Sequence, residues 1–111
     1  MASLRITSEL WVSILRKRLE NHAIPIFIIQ KGEKRAGAII IRISNMFGKS
    51  KLLVQAPSLD GERRWVELME RSDPEIEETL QKQKEFDADL WIIEIEAINN
   101  INLFEEFLLQ G

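Results

Sequence analysis

The carboxylates between residues 87 and 96 are the side chains of this chain best suited to chemistry. Asp87 and Asp89 precede an alternating segment in which Glu94 and Glu96 share one face of a predicted strand. Residues two apart on a strand lie about 6–7 Å from each other, a spacing that suits a hard metal such as Mg²⁺ or two acid/base groups. The simpler interpretation is a solvent-facing row of acids that pairs with bases on neighbouring strands, such as Arg42.

The segment DGERRWVEL, residues 60–68, is the second candidate. Its Asp-Gly pair predicts a hairpin turn, and Arg63 and Trp65 share one face of the strand that follows. Val66 and Leu68 mark the opposite face as the buried one. An Arg beside a Trp can bind carboxylate or phosphate. Alternatively, all three tryptophans pack in one core cluster. The candidates for a binding surface are Arg63, Arg64, Trp65, Glu94 and Glu96.

Several catalytic chemistries lack the residues they need. The chain has no cysteine and one histidine, His22, which is predicted to lie at a helix end. Thiolate catalysis and Cys/His zinc sites are therefore excluded, and a Ser-His-acid triad has no local signature. The glycines are scattered and form no phosphate-binding loop. We expect no cofactor and a non-catalytic protein.

Charge is distributed unevenly along the chain. Residues 1–64 hold twelve Lys or Arg against five acids, a net +7, whereas residues 65–111 hold three against thirteen, a net −10. Such asymmetry can indicate binding to nucleic acid or another polyanion, or two halves that neutralise each other. The predicted basic patch comprises Arg16, Lys17, Arg18, Lys31, Lys34 and Arg35.

The totals describe one globular domain spanning residues 1–111. Of its residues, 45% are hydrophobic and 30% are charged, which is typical of soluble proteins. No apolar run approaches the ~20 residues of a membrane span, and the start lacks the apolar region of a secretory signal. Without cysteines, a cytoplasmic location is expected.

Periodicity predicts an α+β fold in the order α-β-β-β-β-α-β-α. A first helix begins after Thr7 and ends at Asn21. Strands are predicted at 26–31, covered on both faces, and at 38–44, 52–57 and 62–69, with the fifth starting near residue 89. Short connections between strands predict a mostly antiparallel five-stranded sheet. Asp73 and Pro74 open a helix before the fifth strand, with Ile76, Leu80, Gln83 and Phe86 on its inner face.

The last element is a predicted short C-terminal helix with a strongly apolar side. Its large side chains either fold back onto the sheet or form a homodimer contact. The side chains concerned are Leu103, Phe104, Phe107 and Leu108.

Four segments together resemble a bacterial family of unknown function, the one numbered 1491: ELWVSILRKRLE, AGAIIIRI, DGERRWVEL and QKQKEFDADLWIIEIE. The similarity extends from about Leu10 to Glu96, and the tail INNINLFEEFLLQG departs from the family pattern. The resemblance implies a bacterial, cytoplasmic protein of the same fold class. It brings no activity and no catalytic residue.

Three functions follow, in order of preference. The first is a non-catalytic interaction module that uses the Arg63/Trp65 face or the C-terminal helix and binds a protein or a small anionic ligand. The second is nucleic-acid or polyanion binding through the basic first half of the chain, which contains the basic patch. The third is a small enzyme that uses Asp87, Asp89, Glu94 and Glu96.

Overall fold

The computed structural model describes residues 6–57 and 63–96. These residues form two helices and five strands, which in chain order are α1 (Ser8–Glu20), β1 (Ile26–Gln30), β2 (Ile39–Ser44), β3 (Lys49–Pro57), β4 (Arg63–Ser72), α2 (Asp73–Phe86) and β5 (Trp91–Glu96). The predicted C-terminal helix and the Asp60-Gly61 turn lie outside the described residues. Neither α1, with 13 residues, nor α2, with 14, is long and apolar enough to cross a membrane.

The strands form one mixed sheet in the order β1-β5-β2-β3-β4. β5 pairs antiparallel with β1 but parallel with β2, and the β2–β3 and β3–β4 pairs are antiparallel. The α+β class is confirmed, whereas the prediction of a mostly antiparallel sheet is corrected to a mixed one. That prediction assumed short connections, but the chain passes through α2 after β4, and this longer path lets β5 enter the middle of the sheet beside β2.

Two hydrophobic cores lie on opposite faces of the sheet. On the α1 face, Trp11, Val12, Leu15 and Leu19 of the helix pack on odd-numbered residues of β2 and β5. On the α2 face, Ile76 and Leu80 pack on even-numbered residues of the same strands and on Leu52. Because successive strand residues point to opposite faces, the sheet separates the basic helix α1 from the acidic helix α2.

Helix α1 forms where the sequence predicts it. The side chain of Thr7 accepts a hydrogen bond from the Leu10 N–H, 3.1 Å away, and Asn21 closes the helix. Four buried apolar residues recur at helical spacing along one side, while Leu10 is 47% exposed. The cap and the apolar stripe therefore specify the helix, and its buried side anchors the α1 face.

Strand β1 differs from its prediction. It lies at the edge of the sheet and pairs only with β5, and Phe27, Ile28 and Ile29 are 47%, 39% and 48% exposed. The continuous apolar run predicted a strand covered on both faces. That prediction is wrong because residue type does not determine where a strand lies in the sheet.

Strand β4 presents the face opposite to the one predicted. Val66 and Leu68 are 42% and 48% exposed, whereas Trp65 packs against the α1-face core. A shift of register opposite Leu52 and Leu53 then brings Met69 into the α2-face core. The prediction is wrong because helix α2 covers only the later part of β4.

Helix α2 also differs from its prediction, at its N-cap and in the exposure of Phe86. Ser72 rather than Asp73 is the N-cap residue, and Phe86 is 91% exposed rather than on the inner face. The carboxylate of Asp73 is instead bonded to the side chains of Arg42 and Ser50. Asp73 therefore links the helix to the sheet.

Candidate functional site

Trp65 does not lie free on the surface. Its ring centroid is 5.2 Å from that of Trp11, and Trp91 belongs to the same α1-face core. The interpretation that the three tryptophans share one core is confirmed. Arg63 and Arg64 pair through their backbones with Pro57 and Ala56, while the placement of their side chains lies outside the described structure.

The four candidate carboxylates do not converge. Asp87 accepts a hydrogen bond from the Asp89 N–H, 2.9 Å away, and so shapes the turn before β5. Glu94 and Glu96 follow on the α2 face of β5. Asp89 and Glu94 are five residues apart, which corresponds to about 16 Å along an extended strand. In the described part of the chain, no group of three or more His, Asp or Glu side chains is arranged to hold a metal ion.

Arg42 organises the largest polar group of the described residues. Its side chain is 8% exposed and lies on the α2 face. Nε donates to Ser50 Oγ at 3.1 Å, Nη2 donates to Asp73 Oδ1 at 3.2 Å and Nη1 donates to Glu77. Glu94 Oε1 lies 3.4 Å from Nη1. We call these five residues the Arg42 cluster.

The Arg42 cluster is closed to ligands. Burial alone lowers the pKa of Arg42, but its hydrogen bonds to Glu77 and Asp73 outweigh burial and raise that pKa above its ordinary value. Each nitrogen of the guanidinium has at least one acceptor within the protein, among Ser50, Asp73, Glu77 and Glu94. Ser50 is 1% exposed and donates to Asp73 at 2.7 Å. The cluster therefore joins β2, β3, β5 and α2.

Sequence reasoning identified Arg42 only as the first polar residue of its strand and a cross-strand partner for acids. The available signal was a single cation inside the run IIIRI, because a charge at a core position needs buried partners. Nothing in the local pattern identified Asp73 or Glu77, which lie more than thirty residues further along the chain.

The connection between β1 and β2 forms a tight turn against the start of β5. Glu33 accepts hydrogen bonds from the N–H groups of Arg35 and Ala36, and its carbonyl accepts one from Trp91 Nε1 at 2.7 Å. The backbone hydrogen bonds, that from Ala36 first, lower the pKa of Glu33 below 4.5. Gly32 is required here because a Cβ would lie 2.3 Å from the Asp89 carbonyl oxygen.

The predicted basic residues all lie on the α1 side of the sheet. Arg16, Lys17 and Arg18 are exposed near the end of α1. The turn that carries Lys34 and Arg35 lies at the start of the helix, where their carbonyl groups accept hydrogen bonds from Glu9 and Ser8. Arg16 pairs with Glu20 at 3.0 Å and Lys31 with Glu9 at 3.8 Å. The predicted basic residues are thus divided between the two ends of α1 and interrupted by acids.

His22 lies just after the end of α1, as the sequence predicts. Its Nδ1 lies 3.0 Å from the Arg18 carbonyl oxygen. The imidazole is therefore engaged with the last turn of the helix.

One edge of the described sheet exposes apolar side chains that no contact explains. Phe27, Ile28 and Ile29 are consecutive and each is at least 39% exposed, and we call them the β1 strip. Phe27 is paired with Glu94 and Ile28 with Ile93, so these two side chains leave opposite faces at the edge of the sheet. No described residue from Ile24 to Gln30 carries a charge. Sequence reasoning missed this surface because it treated the same residues as core.

Comparison with known proteins identifies the family. The family model described as "Protein of unknown function (DUF1491)" matches residues 6–105. The chain belongs to the DUF1491 family. A search of the curated proteins finds no match.

Solved structures of DUF1491 relatives support the fold. A crystal structure of a family member from Caulobacter crescentus CB15 has a TM-score of 0.77 at 28% identity, covering 86% of this chain and 91% of that one. The solution structure of protein Atu0922 from A. tumefaciens has a TM-score of 0.77 at 30% identity, covering 95% and 93%. An NMR structure of a C. crescentus DUF1491 protein has a TM-score of 0.72 at 26% identity, covering 84% and 86%. Membership brings a fold and no activity.

Proposed function

We propose that this DUF1491 protein is a non-catalytic interaction module that binds an amphipathic helix of a partner protein on the β1 strip. The observation that carries the proposal is three adjacent large apolar side chains, 39–48% exposed, on an edge strand. An apolar patch of this kind on a folded domain marks a contact surface more often than a row of scattered residues does.

The β1 strip is suited to side-chain contact rather than to the addition of a further strand. Pro25 precedes the strand, and a bulge interrupts it between Ile28 and Gln30. Proline and bulges are common devices that prevent strands from pairing at an edge. A helix needs no backbone hydrogen bonds from its binding surface, so neither device excludes it.

The area and charge of the strip also fit a helix. The exposed parts of the three side chains amount to on the order of 250 Å² in total, divided between the two faces at the edge of the sheet, so a helix would have to lie along the edge itself. Glu96 lies beside one end of β1 and Lys31 follows the other end. A partner helix with a cation near Glu96 and an acid near Lys31 would complement both of these charges.

The opposite edge of the sheet gives a useful contrast. Val66 and Leu68 of β4 are also exposed, but Glu67 separates them and Glu70 and Arg71 follow. Interleaved charges protect an edge strand from association. Leu68 is 48% exposed, as is Ile29, so it provides a matched control position on the other edge.

A peptide-display library of helical peptides, selected on the full-length chain, tests the proposal. We expect enrichment of peptides with apolar residues at helical spacing. Fluorescence anisotropy with a selected peptide should show binding weakened by about tenfold or more in Ile29→Asp, and little changed in Leu68→Asp. Failure to enrich any such peptide, or equal loss in the two variants, would reject the β1 strip as the contact surface.

A second candidate function, polyanion binding, is favoured by the separation of charge across the sheet. Lys17, Arg18, Lys34 and Arg35 form no ion pair with any carboxylate of the described residues. The acids of α2 lie on the far face, so they do not screen this side. The net negative charge of the whole chain is therefore a weaker objection to polyanion binding than the sequence alone suggests.

Titration with heparin or duplex DNA tests this second function. Binding should weaken steeply between about 50 and 200 mM salt. It should be lost in Lys34→Glu/Arg35→Glu and kept in the control Lys82→Glu/Lys84→Glu, whose positions lie on the acidic helix. Salt-independent binding, or none, would reject it.

A further inference from the structure

We infer that copies of this chain associate front to back, with helix α1 of one copy packed antiparallel against helix α2 of the next. The inference goes beyond the proposed function, because it uses the outer sides of the two helices and leaves the edge of the sheet uncovered. Three features support it: the opposite charge of the two helices, an exposed apolar side chain at the matching end of each, and the level of the charges along their axes.

The two helices run in opposite directions on opposite faces of the sheet. α1 begins against the turn before β2, where the Ser8 N–H donates to the Arg35 carbonyl oxygen at 3.0 Å. Ile39, the first residue of β2, is paired with Trp91, the first of β5, so α2 ends at this same end of the sheet. α1 ends, and α2 begins, at the other end. A second copy shifted along the normal to the sheet, without being turned over, therefore places its α2 antiparallel to the α1 of the first.

The outer sides of the two helices carry opposite charge. α2 contains five acids and two lysines, a net −3, whereas α1 contains three bases and two acids, a net +1. Arg16 already binds Glu20 of α1 at 3.0 Å. Lys17 and Arg18 are exposed and form no ion pair with a carboxylate of the described residues. Contact between two α1 helices or two α2 helices would bring like charges together, so charge favours contact between unlike helices of two copies.

Each helix also exposes one large apolar side chain at the matching end. Phe86, the last residue of α2, is 91% exposed, and Leu10, in the first turn of α1, is 47% exposed. When the helices of two copies lie antiparallel, these two side chains reach the same level. Contact between them would remove apolar surface of both from water, which is favourable.

The charges then fall at one level as well. Lys17 lies seven residues after Leu10, about 10.5 Å along the helix axis and on the same side. Glu78 lies eight residues before Phe86, about 12 Å along its axis, and both are on the exposed side of α2. Lys17 would therefore meet Glu78 when Leu10 meets Phe86.

The contact is of the head-to-tail kind, because each copy offers α1 to one neighbour and α2 to another. It therefore continues into an open stack rather than closing as a symmetric dimer. Each helix is about 20 Å long and 10 Å wide, so the contact covers on the order of 200–300 Å² of each copy. Stable dimers bury about 800 Å² on each partner. Association should therefore be weak, dependent on concentration and screened by salt.

Sedimentation velocity of the full chain tests the inference. In about 20 mM NaCl, we expect the mean mass to rise steadily as the protein concentration increases from about 20 μM to about 1 mM. In about 300 mM NaCl, the association constant should be lower by about tenfold or more, because exposed charges are then screened.

Two double variants each remove one side of the contact. Leu10→Asp/Lys17→Glu changes only α1, and Glu78→Lys/Phe86→Asp changes only α2. Each variant alone should remain monomeric at every concentration. An equimolar mixture of the two should form a one-to-one dimer and grow no further, because only one intact α1 and one intact α2 remain in each pair.

The control Leu68→Asp/Glu70→Lys changes the β4 edge instead, and Leu68 matches Leu10 in exposure, at 48% and 47%. It should associate as the wild type does. Thermal unfolding followed by circular dichroism would check that every variant is folded, as exposed positions allow.

Three results would overturn the inference. A wild-type chain that stays monomeric at about 1 mM in low salt would show that the helices do not associate. Association of either variant alone would place the contact elsewhere on the chain, and a mixture that stays monomeric would exclude the pairing of α1 with α2. None of these results bears on whether library peptides bind the β1 strip.

Discussion

The rings of Trp11 and Trp65 lie with centroids 5.2 Å apart and planes tilted by 31°. Trp11 comes from α1 and Trp65 from β4, the strand at the far edge of the sheet from β1. This contact extends the α1-face core to the outermost strand. It also removes one flank of the indole from the surface, which weakens the case for an Arg63/Trp65 binding face.

We predict that the tryptophan pair stabilises the fold measurably. Trp65→Ala should lower the free energy of unfolding by about 2–4 kcal/mol, less than for a fully buried tryptophan. A double-mutant cycle with Trp11→Ala should give a coupling energy of about 0.5–1.5 kcal/mol in urea denaturation. Strictly additive losses would show that the two rings do not stabilise each other.

The Arg42 cluster should be sensitive to loss of its cation. Arg42→Ala leaves Asp73, Glu77 and Glu94 close together without a counter-charge, and we expect a loss of about 2–4 kcal/mol. Since Glu77 is 67% exposed, the full penalty of a buried pair does not apply. Arg42→Lys keeps the charge but cannot reach all acceptors, so it should lose about half as much. Equal losses in the two variants would show that the positive charge alone contributes nothing and that the hydrogen-bond geometry of the guanidinium is what stabilises the cluster.

Gly32 should not tolerate a side chain. A Cβ there would approach the Asp89 carbonyl oxygen to 2.3 Å and Trp91 Cδ1 to 2.6 Å, so Gly32→Ala should cost about 2–3 kcal/mol. Gly48→Ala is the control, because its site is open and only the positive φ of 92° opposes it. That control should lose about 1 kcal/mol. A smaller loss at Gly32 than at Gly48 would contradict the packing described here.

Glu33 should make stability depend on pH in the acidic range. Its pKa in the folded protein is below the ordinary 4.5, so its contribution is complete above about pH 4.5 and is lost as pH falls through the folded value. The stability advantage of the wild type over Glu33→Gln should therefore shrink below pH 4.5. Chemical denaturation at pH 7 and at successively lower pH measures this difference. A constant difference would mean that the carboxylate charge plays no part.

Local features of the fold were predictable because they depend on neighbouring residues. The cap at Thr7, the end of α1 at Asn21 and the alternation in β5 all follow from spacing within a few residues. Features that depend on residues far apart in the chain were not predictable from the sequence. The parallel pairing of β2 with β5 depends on where a strand inserts in the sheet, and no short-range pattern encodes that position.

The candidate surface illustrates the same limit. The apolar run from Ile26 to Ile29 correctly predicted a strand, but the same composition suits a central strand or an edge that another element covers. Position in the sheet decides between these, and only the structure supplies it. For Trp65, in contrast, the core interpretation was available from the sequence because large aromatic side chains favour burial.

The order of the sheet has a consequence for how the protein is made. β5 lies between β1 and β2 but is the last of the five described strands in the chain, and β1 has no other partner among them. On a ribosome, β1 is therefore synthesised early and must wait unpaired until residues 91–96 have emerged. The sheet should therefore complete only after residues 91–96 have emerged, and chains that stop before Trp91 should be prone to capture by chaperones.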